Sequence, residues 1–398
     1  MKLSSRASKI KPSSTLAITA KAAELRSQGK DVISFSVGEP DFQTPEHIKK
    51  AGIKAIEDGF TKYTPVPGIP ELKQAICDKL KNENGLTYTP NQIVVSSGAK
   101  QSLSNILLAL IDEGDEVIIP SPYWLSYSAM VNIAGGECVF INTKKENNFM
   151  VTKQELEAAL SPRTKALFLT SPSNPTGMVY TKEQLEVVAD FAVKNDLLVI
   201  SDEIYEKLIY DENKNHISIA SLGKEIYDRT VVINGVSKSY AMTGWRIGYA
   251  ACPEFIAKAV SSIQSHMTSN ACSISQKATL EAITGSQECV EEMVKEFAKR
   301  RDYIFEREEA MPYVSALKPE GAFYLFIDVS GVYGKKYKGE EIASAADMAR
   351  ILIEDKLIAV VPCADFGMPE YIRLSYATSM ENIKKGMDRM EEFLSELV

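Results

Sequence analysis

The sequence has few of the residues that bind metals or catalyse hydrolysis. Only three histidines occur among 398 residues, and His47, His216 and His266 lie far apart in the chain. The six cysteines show no C-x-x-C spacing, which argues against a zinc site and against a disulfide framework. We therefore expect no metal, free thiols and a reducing, cytoplasmic environment.

Long apolar runs and an excess of basic residues are also absent. No stretch of about 18 apolar residues occurs, so no segment is expected to span a membrane. Lys and Arg number 45 against 53 Asp and Glu, and the formal net charge is -8 at pH 7. Nucleic acids and anionic membranes require a basic face to replace counterions, so neither is an expected partner.

The composition is that of a globular protein, with 45% hydrophobic and 25% charged residues. A chain of 398 residues suggests two domains. Strands separated by helices of about 10 to 15 residues predict βαβ units and a mostly parallel sheet with helices on both faces. The predicted strands are 93–97, 116–119, 166–170 and 197–201, and the helices include 14–28, 99–111 and 181–195.

The pattern changes after Gly285, which indicates a second, smaller domain. A long charged helix is predicted from Glu288 to about Arg307. It is followed by strands near 321–327 and 371–375 and by a closing helix from Met380.

A lysine and an arginine occur between Gly235 and Gly248, beside a predicted buried strand at 230–233. Burial lowers the pKa of a lysine amine, and the neutral amine can attack a carbonyl to form a Schiff base. The planar guanidinium of Arg246 is suited to phosphate. Together with Lys238 it suggests an aldehyde that carries a phosphate, although a lone lysine here is more often a surface residue beside a strand.

Polar residues also follow other predicted strands, and ligands in such sheets bind beyond the carboxyl ends of the strands. Gly98 and Ala99 begin a helix whose free amides can bind phosphate, although an ordinary helix start looks the same. Asn174 lies between two prolines whose peptide bonds can be cis, in what is also a rigid turn.

Asp202 stands at the end of a predicted buried strand and requires a partner there. A protonated pyridinium nitrogen would be such a partner, and so would a cation in a structural salt bridge. Tyr205 follows three residues later and would be able to hydrogen-bond a phenolic oxygen of the same pyridinium ring.

Eight short motifs occur between Gly38 and Ser375, within a resemblance that runs from Lys11 to the final helix. They are Gly38-Glu-Pro-Asp-Phe42, Lys62-Tyr63-Thr64, Gly98-Ala-Lys-Gln101, Pro122-Tyr-Trp124, the Asn174 loop, Ser201-Asp-Glu-Ile-Tyr205, the Lys238 stretch and Arg373-Leu-Ser375. In this order they resemble the class I pyridoxal-phosphate-dependent aminotransferases of fold type I, most closely the bacterial-type aspartate aminotransferase subgroup. The resemblance implies an α/β fold with a mostly parallel seven-stranded sheet. The large cofactor domain would comprise 48–286, and a smaller α+β domain would be formed by an arm and first part at 1–47 with 287–398.

The resemblance also implies a role for each matching residue. Lys238 would hold the cofactor covalently and act as general base and acid, with Asp202 and Tyr205 as the other catalytic residues. Asp202 would keep the ring nitrogen protonated, and Asn174 and Tyr205 would bond the phenolic oxygen. Trp124 would stack on the ring and line the substrate site.

The phosphate and the substrate would be bound by further residues. Phosphate contacts are implied for Gly98, Ala99, Arg246 and, from the second subunit of a homodimer, Tyr63. Lys100 and Ser237 are implied as further cofactor-binding residues. Substrate contacts are implied for Gly38 and Arg373 at the α-carboxylate and for Ser13, Thr15 and Lys100 at the distal carboxylate. Asn174 is also implied as a substrate-binding residue. One departure is Gly235, which replaces the serine that animal-type enzymes carry three residues before the lysine.

The implied reaction moves an amino group between L-aspartate, or a related amino acid, and 2-oxoglutarate by a ping-pong mechanism. Oxaloacetate and L-glutamate would be the products. Three alternatives stay open at this point: a broader aminotransferase acting on aromatic, alanine or prephenate-like substrates, a pyridoxal-phosphate-dependent β-lyase, and a non-catalytic ligand sensor.

Overall fold

The computed structural model describes residues 2, 4, 7, 8, 10, 14–211 and 215–398. Its helices are α1 (Ser14–Ser27), α2 (Glu46–Glu57), α3 (Pro70–Asn84), α4 (Ala99–Leu110), α5 (Ser126–Ala134), α6 (Lys153–Ala159), α7 (Lys182–Lys194), α8 (Lys224–Tyr227), α9 (Glu254–Met267), α10 (Ser273–Thr284), α11 (Glu288–Glu309), α12 (Ala345–Asp355) and α13 (Met380–Ser395).

The strands form one large sheet and three smaller ones. They are β1 (Ile33–Ser34), β2 (Ile93–Ser96), β3 (Glu116–Ser121), β4 (Glu137–Asn142), β5 (Thr164–Thr170), β6 (Leu198–Asp202), β7 (Thr230–Gly235), β8 (Gly248–Ala251), β9 (Ser315–Ala316), β10 (Tyr324–Asp328), β11 (Lys336–Tyr337), β12 (Glu340–Glu341), β13 (Ile358–Ala359), β14 (Val361–Pro362) and β15 (Tyr371–Ser375).

The central sheet has seven strands in the order β2-β8-β7-β6-β5-β3-β4. Strands β2 to β7 share one direction, and β8 runs antiparallel to both of its neighbours. The predicted mostly parallel α/β sheet is therefore confirmed. Because the parallel strands share a direction, the residues that follow β5, β6 and β7 meet at one edge of the sheet.

Helices cover both faces of this sheet, which explains the continuous apolar runs in its strands. Phe168 and Ile200 pack on one face with Leu103 of α4. Leu167 and Val199 point to the opposite face and pack with Leu185 of α7, so neighbouring strand residues belong to different cores.

The C-terminal part of the chain forms a four-stranded antiparallel sheet in the order β14-β15-β10-β9. The short strand β1 pairs in parallel with β13, so that Ile33 lies beside Ile358. The residues before α2 are thereby joined to the C-terminal part of the chain. The domain boundaries inferred above agree with this pairing and stay a prediction.

Most predicted elements are confirmed to within a few residues. Thr181 caps α7, and its hydroxyl accepts from the backbone of Gln184 in the predicted capping box. Strands β4 and β8 of the central sheet were not predicted. Strand β8 consists of one Gly, one Tyr and two Ala, and it lacks the β-branched residues that identify β2, which is equally short. All six cysteines are free thiols. None of the helices in the described ranges is both long enough and apolar enough to cross a bilayer.

Candidate active site

A cavity of about 330 Å³ opens at the carboxyl-terminal edge of the central sheet. It brings together most of the residues that the sequence singled out, namely Thr15, Gly38, Ala99, Lys100, Trp124, Asn174, Asp202, Tyr205, Ser237, Lys238, Arg246 and Arg373. Gly98 lies beside it, against Arg246. Ser13 lies outside the described residues.

Lys238 stands three residues after β7, and its Nζ donates to the carbonyl oxygen of Gly38 at 2.6 Å. Burial lowers the pKa of this amine to about 8, and Arg373 and Arg246 act in the same direction. Glu39 and Asp202 oppose that shift without cancelling it. A substantial fraction of the amine is therefore neutral near pH 8 and able to act as a nucleophile.

Asp202 is the last residue of β6 and is only 3% exposed. Burial raises the pKa of its carboxyl to about 6, although the hydroxyl of Tyr127, which donates to Oδ2 at 2.6 Å, acts in the opposite direction. Among the described residues no cationic side chain makes an ion pair with Asp202. The predicted structural salt bridge is therefore not found there, and the carboxylate is suited to a cationic ligand atom.

The raised pKa of Asp202 predicts a pH-dependent stability difference between the cofactor-free protein and its Asp202→Asn variant. With a folded pKa of about 6 against 3.8 for the free side chain, ionisation is more costly in the folded chain. The stability contributed by Asp202 is present below about pH 4 and falls by about 3 kcal/mol as pH rises through 6. Urea unfolding of both proteins between pH 4 and 7 measures this. A wild-type-minus-variant difference that stays constant over that range would contradict the assignment.

Arg373 lies in the middle of β15 and is 2% exposed. Its guanidinium donates to Oδ1 of Asn174 at 2.9 Å and to the carbonyl of Ser36 at 3.1 Å, and lies 4.4 Å from the ring centre of Tyr324. Its Nε has no hydrogen-bond partner among the described residues, and no carboxylate there makes an ion pair with it. A buried guanidinium without a carboxylate is suited to an anionic ligand.

Asn174 follows one cis proline and precedes another, because both the Ser171–Pro172 and the Asn174–Pro175 bonds are cis. The prediction that one or both bonds are cis is thus confirmed. Since Oδ1 of Asn174 accepts from Arg373, its amide nitrogen is the atom that can donate to a ligand.

The start of α4 and Arg246 form a second anion site. Gly98 precedes α4 with φ of 88°, and Arg246 adopts a left-handed φ of 56°. A Cβ at Gly98 would lie 2.2 Å from Nη2 of Arg246, so only glycine allows the guanidinium to lie against the helix start. The free amides of this first turn and the guanidinium are complementary to phosphate.

Close packing of β7 against β8 explains why position 235 is a glycine. A Cβ there would lie 2.9 Å from Cα of Gly248, in the neighbouring strand β8. A serine at this position would therefore require β7 and β8 to separate, so the missing hydroxyl reflects close strand packing.

Lys100 and Thr15 line the same cavity away from β6 and β7. The Nζ of Lys100 lies 4.6 Å from the ring centre of Trp124. Burial lowers the pKa of this amine, and the positive charge of Arg246 lowers it further. The hydroxyl of Thr15 is buried without a hydrogen-bond partner in the described part of the chain. A cation and an unsatisfied hydroxyl at this wall suit a second anionic or polar ligand group.

Tyr63 is not part of this cavity. Its side chain is 91% exposed on the surface of the single chain. Its inferred contact with the cofactor of a second subunit stays a prediction.

Two tyrosines of the site were not identified from the sequence. Tyr127 in α5 bonds Asp202, and the hydroxyl of Tyr324 in β10 lies 2.8 Å from that of Tyr205. Both fit ordinary core positions in their elements, so the sequence contains no signal that separates them from packing residues. Only the tertiary structure places them beside the residues at the strand ends.

A buried charge cluster lies directly behind Asp202. Ligand atoms of Glu203, Glu206 and His216 come within 4.8 Å of one another, which the spacing of the histidines did not predict. His216 Nε2 lies 2.9 Å from Glu203, and Lys79 pairs with Glu206. Burial opposes ionisation of Glu206, but Lys79 and His216 lower its pKa to about 2. Protein cations therefore balance these carboxylates, and the cluster is not proposed as a metal site.

The residues of the cavity fit pyridoxal phosphate in each of its parts. Lys238 offers an amine of lowered pKa to the aldehyde, and Asp202 offers an uncompensated carboxylate to the ring nitrogen. Arg246 and the start of α4 offer an anion site to the phosphate.

Comparison with known proteins agrees with this fit. The family model described as aminotransferase class I and II matches residues 30–390. An aspartate aminotransferase of Bacillus sp. (strain YM-2) is 48% identical over 98% of this chain and 99% of its own length. A probable aspartate/prephenate aminotransferase of Rickettsia conorii is 47% identical over 98% of both chains.

Solved structures show the same similarity. The aspartate aminotransferase of Rhizobium meliloti superposes with a TM-score of 0.97 at 42% identity and 100% coverage of both chains. The aspartate aminotransferase of Thermus thermophilus with maleate gives a TM-score of 0.93 at 44% identity, covering 99% of this chain and all of that one. With this agreement of cavity, fold and sequence, the chain belongs to the class I and II aminotransferases, which are pyridoxal-phosphate-dependent enzymes of fold type I.

Proposed function

We propose that this protein transfers the amino group of L-aspartate to 2-oxoglutarate in a ping-pong reaction that yields oxaloacetate and L-glutamate. The observation that carries the proposal concerns the cations of this cavity other than Arg246, which faces the phosphate site. Arg373 and Lys100 have no carboxylate partner among the described residues and lie in one cavity with the amine of Lys238. Dicarboxylic substrates have two carboxylates to pair with them. The relatives named aspartate aminotransferase, and the Thermus structure with the dicarboxylate maleate, support this choice.

When bound, pyridoxal phosphate supplies an electron sink for negative charge at the substrate Cα. Arg373 would hold the α-carboxylate through two parallel hydrogen bonds and thereby fix the orientation of the Cα–H bond. Lys238, neutral in part because of its lowered pKa, would take the proton from Cα and later return one. Asp202 would hold a proton on the ring nitrogen through its ionised carboxylate.

Three further residues would complete the cofactor site. The amide of Asn174 and the hydroxyl of Tyr205 would donate to the phenolic oxygen of the cofactor. Trp124 would cover one face of the ring and limit the access of water. Lys100, with Ser13 and Thr15, would contact the distal carboxylate.

A coupled assay tests the proposal directly. Purified protein loaded with cofactor is mixed with L-aspartate and 2-oxoglutarate, and the appearance of oxaloacetate is measured. A β-lyase would instead release ammonia and pyruvate from one substrate without an oxo-acid acceptor. Protein that gains no absorbance on addition of pyridoxal phosphate would contradict the enzyme assignment itself.

Lys100→Ala is expected to lower kcat/KM selectively for dicarboxylic substrates. One charged hydrogen bond contributes about 1.5 to 3 kcal/mol, so kcat/KM for L-aspartate should fall roughly tenfold to hundredfold. The value for L-alanine should change little, because alanine has no distal carboxylate. Lys182→Ala, at an exposed lysine that pairs with Glu186 in its own helix, is the control. Equal losses for both amino acids would remove Lys100 from the specificity argument.

A broader specificity is the second candidate, because relatives at similar identity are named aspartate/prephenate aminotransferases. A panel of aromatic, aliphatic and acidic amino donors with 2-oxoglutarate, together with prephenate as the acceptor for L-aspartate, decides between the two. A kcat/KM for an aromatic donor that equals that for aspartate would favour the broader enzyme.

We also infer a homodimer in which Tyr63 reaches the cofactor phosphate of the other subunit. Tyr63, Ile53 and Ile56 are more than half exposed, which is an apolar surface without cover in the single chain. Mixing Lys238→Ala with Tyr63→Ala protein provides a test. Mixed dimers would contain one complete site, so activity should reappear, whereas a monomer would show no recovery.

A further inference from the structure

The segment 38–44, between β1 and α2, lies across the turn that carries Lys238 and Arg246. Its contacts with this turn join residues about 200 positions apart in the chain. Lys238 Nζ donates to Gly38 O at 2.6 Å, and Thr243 Oγ1 donates to Glu39 Oε2 at 2.6 Å. Thr44 Oγ1 donates to Ala241 O at 2.8 Å and accepts from Trp245 Nε1 at 3.0 Å.

On its other side the same segment is fixed to α11. The buried Arg300 donates to Asp41 at 2.6 Å, and the ring of Phe42 meets that of Phe297 edge to face at 5.4 Å. An isolated hydrogen bond between exposed side chains contributes little to stability, because forming it restrains two mobile side chains. Here the backbone on both sides of Glu39 is already restrained, so its bond to Thr243 costs less conformational entropy.

Thr243 connects this segment to the phosphate side of the cavity. Its carbonyl accepts from Nη1 of Arg246 at 2.8 Å, and Nη2 of Arg246 lies 3.4 Å from the carbonyl of Ser97. Thr243 therefore accepts one of the two hydrogen bonds that the guanidinium makes within the described residues. A shift of Thr243 moves Arg246 relative to the start of α4.

We propose that Glu39 and Thr243 form a positioning pair that couples the substrate-facing backbone at Gly38 to the guanidinium of Arg246. Through this pair the backbone that faces the substrate carboxylate and the guanidinium that faces the phosphate are positioned together. The inference rests on the function proposed above, because it takes Gly38 to face the substrate and Arg246 to face the phosphate. It gives Glu39 of the Gly38–Phe42 motif a role that is separate from contact with either ligand.

Three variants separate the hydrogen bond from the charge. Thr243→Val removes the donor and keeps the carbonyl that accepts from Arg246. Glu39→Ala removes the acceptor, whereas Glu39→Gln keeps an acceptor oxygen and loses the charge. Thr284→Val and Glu46→Gln are the matched controls, since the Thr284 hydroxyl bonds within its own helix and Glu46 pairs with Lys49, outside the cavity.

The first readout is cofactor binding to the cofactor-free protein, measured with pyridoxal phosphate and with pyridoxal. Thr243→Val and Glu39→Ala should raise the dissociation constant of pyridoxal phosphate roughly threefold to tenfold, as expected for one hydrogen bond. For Thr243→Val the constant for pyridoxal, which lacks the phosphate, should stay within about twofold of the wild type. Both Glu39 variants also lose a charge that raises the pKa of Lys238, and this loss acts on the two compounds alike. Glu39→Gln should therefore keep the wild-type ratio of the two constants, whereas Glu39→Ala should raise the constant for pyridoxal phosphate more than that for pyridoxal. The two controls should resemble the wild type for both compounds.

The second readout is the steady-state kinetics of the loaded enzyme. Thr243→Val and Glu39→Ala should raise KM for the amino donor by a similar factor and leave kcat nearly unchanged. Wild-type constants in both variants, or an equal loss of pyridoxal and pyridoxal phosphate binding, would overturn the coupling. Wild-type protein that binds no pyridoxal phosphate would instead overturn the proposed function, and the inference with it.

Discussion

Replacement of Lys238 by alanine is expected to lower kcat for amino transfer by about a thousandfold or more, while the cofactor still binds without a covalent bond. The variant loses the amine that would both attach the cofactor and carry the proton at Cα. Kinetics with L-aspartate and 2-oxoglutarate measure the first effect. Retention of cofactor after borohydride reduction and denaturation measures the second, and only the wild type should retain it.

Lys258→Ala is the matched control for this experiment. Lys258 is an exposed lysine that pairs with Glu254 one helical turn away, and it lies outside the cavity. Its removal should leave both kcat and cofactor retention unchanged. Normal turnover in the Lys238→Ala protein would contradict the mechanism proposed here.

Arg373→Leu is expected to cause the second large loss, a fall in kcat/KM for L-aspartate of about 10² to 10⁴. Two hydrogen bonds to a carboxylate, each worth about 1.5 to 3 kcal/mol, account for this range. Arg373→Lys keeps the charge but not the planar fork, so its loss should be smaller. Steady-state kinetics of both variants, with cofactor binding measured in parallel, test the assignment.

The cofactor measurement separates recognition of substrate from general damage to the site. If Arg373 binds the substrate, the dissociation constant of pyridoxal phosphate should change little in either variant. Arg229→Leu is the control, because Arg229 pairs with Asp196 away from the cavity. A loss of cofactor affinity as large as the loss in kcat/KM would assign Arg373 a structural role instead.

The sequence predicted the sheet and the main groups of the site for a definite physical reason. In a parallel sheet, residues that follow different strands meet at one edge, so Asp202 and Lys238 could be expected in one cavity from local patterns alone. The strands that were predicted are continuous apolar runs with helices between them. Strand β8 was not predicted, because its Gly-Tyr-Ala-Ala sequence contains no β-branched residue.

One alternative left open by the sequence, a structural salt bridge at Asp202, was resolved by contacts between distant residues. The neighbours of Asp202 exclude a cationic partner in the described chain, which a single strand pattern cannot show. Tyr127 and Tyr324 belong to the site only because the fold brings their hydroxyls to Asp202 and Tyr205. Their hydroxyl partners lie 75 and 119 residues away in the chain.

The stretch around Lys238 shows most clearly which properties follow from the sequence and which from the tertiary structure. The sequence by itself determined that an amine follows a buried strand and that an arginine stands eight residues later. Only the tertiary structure decided that this amine bonds Gly38, 200 residues away, and that its pKa falls to about 8. A pKa depends on the exclusion of water and on charges close in space, and folding supplies both from parts of the chain that no local pattern connects.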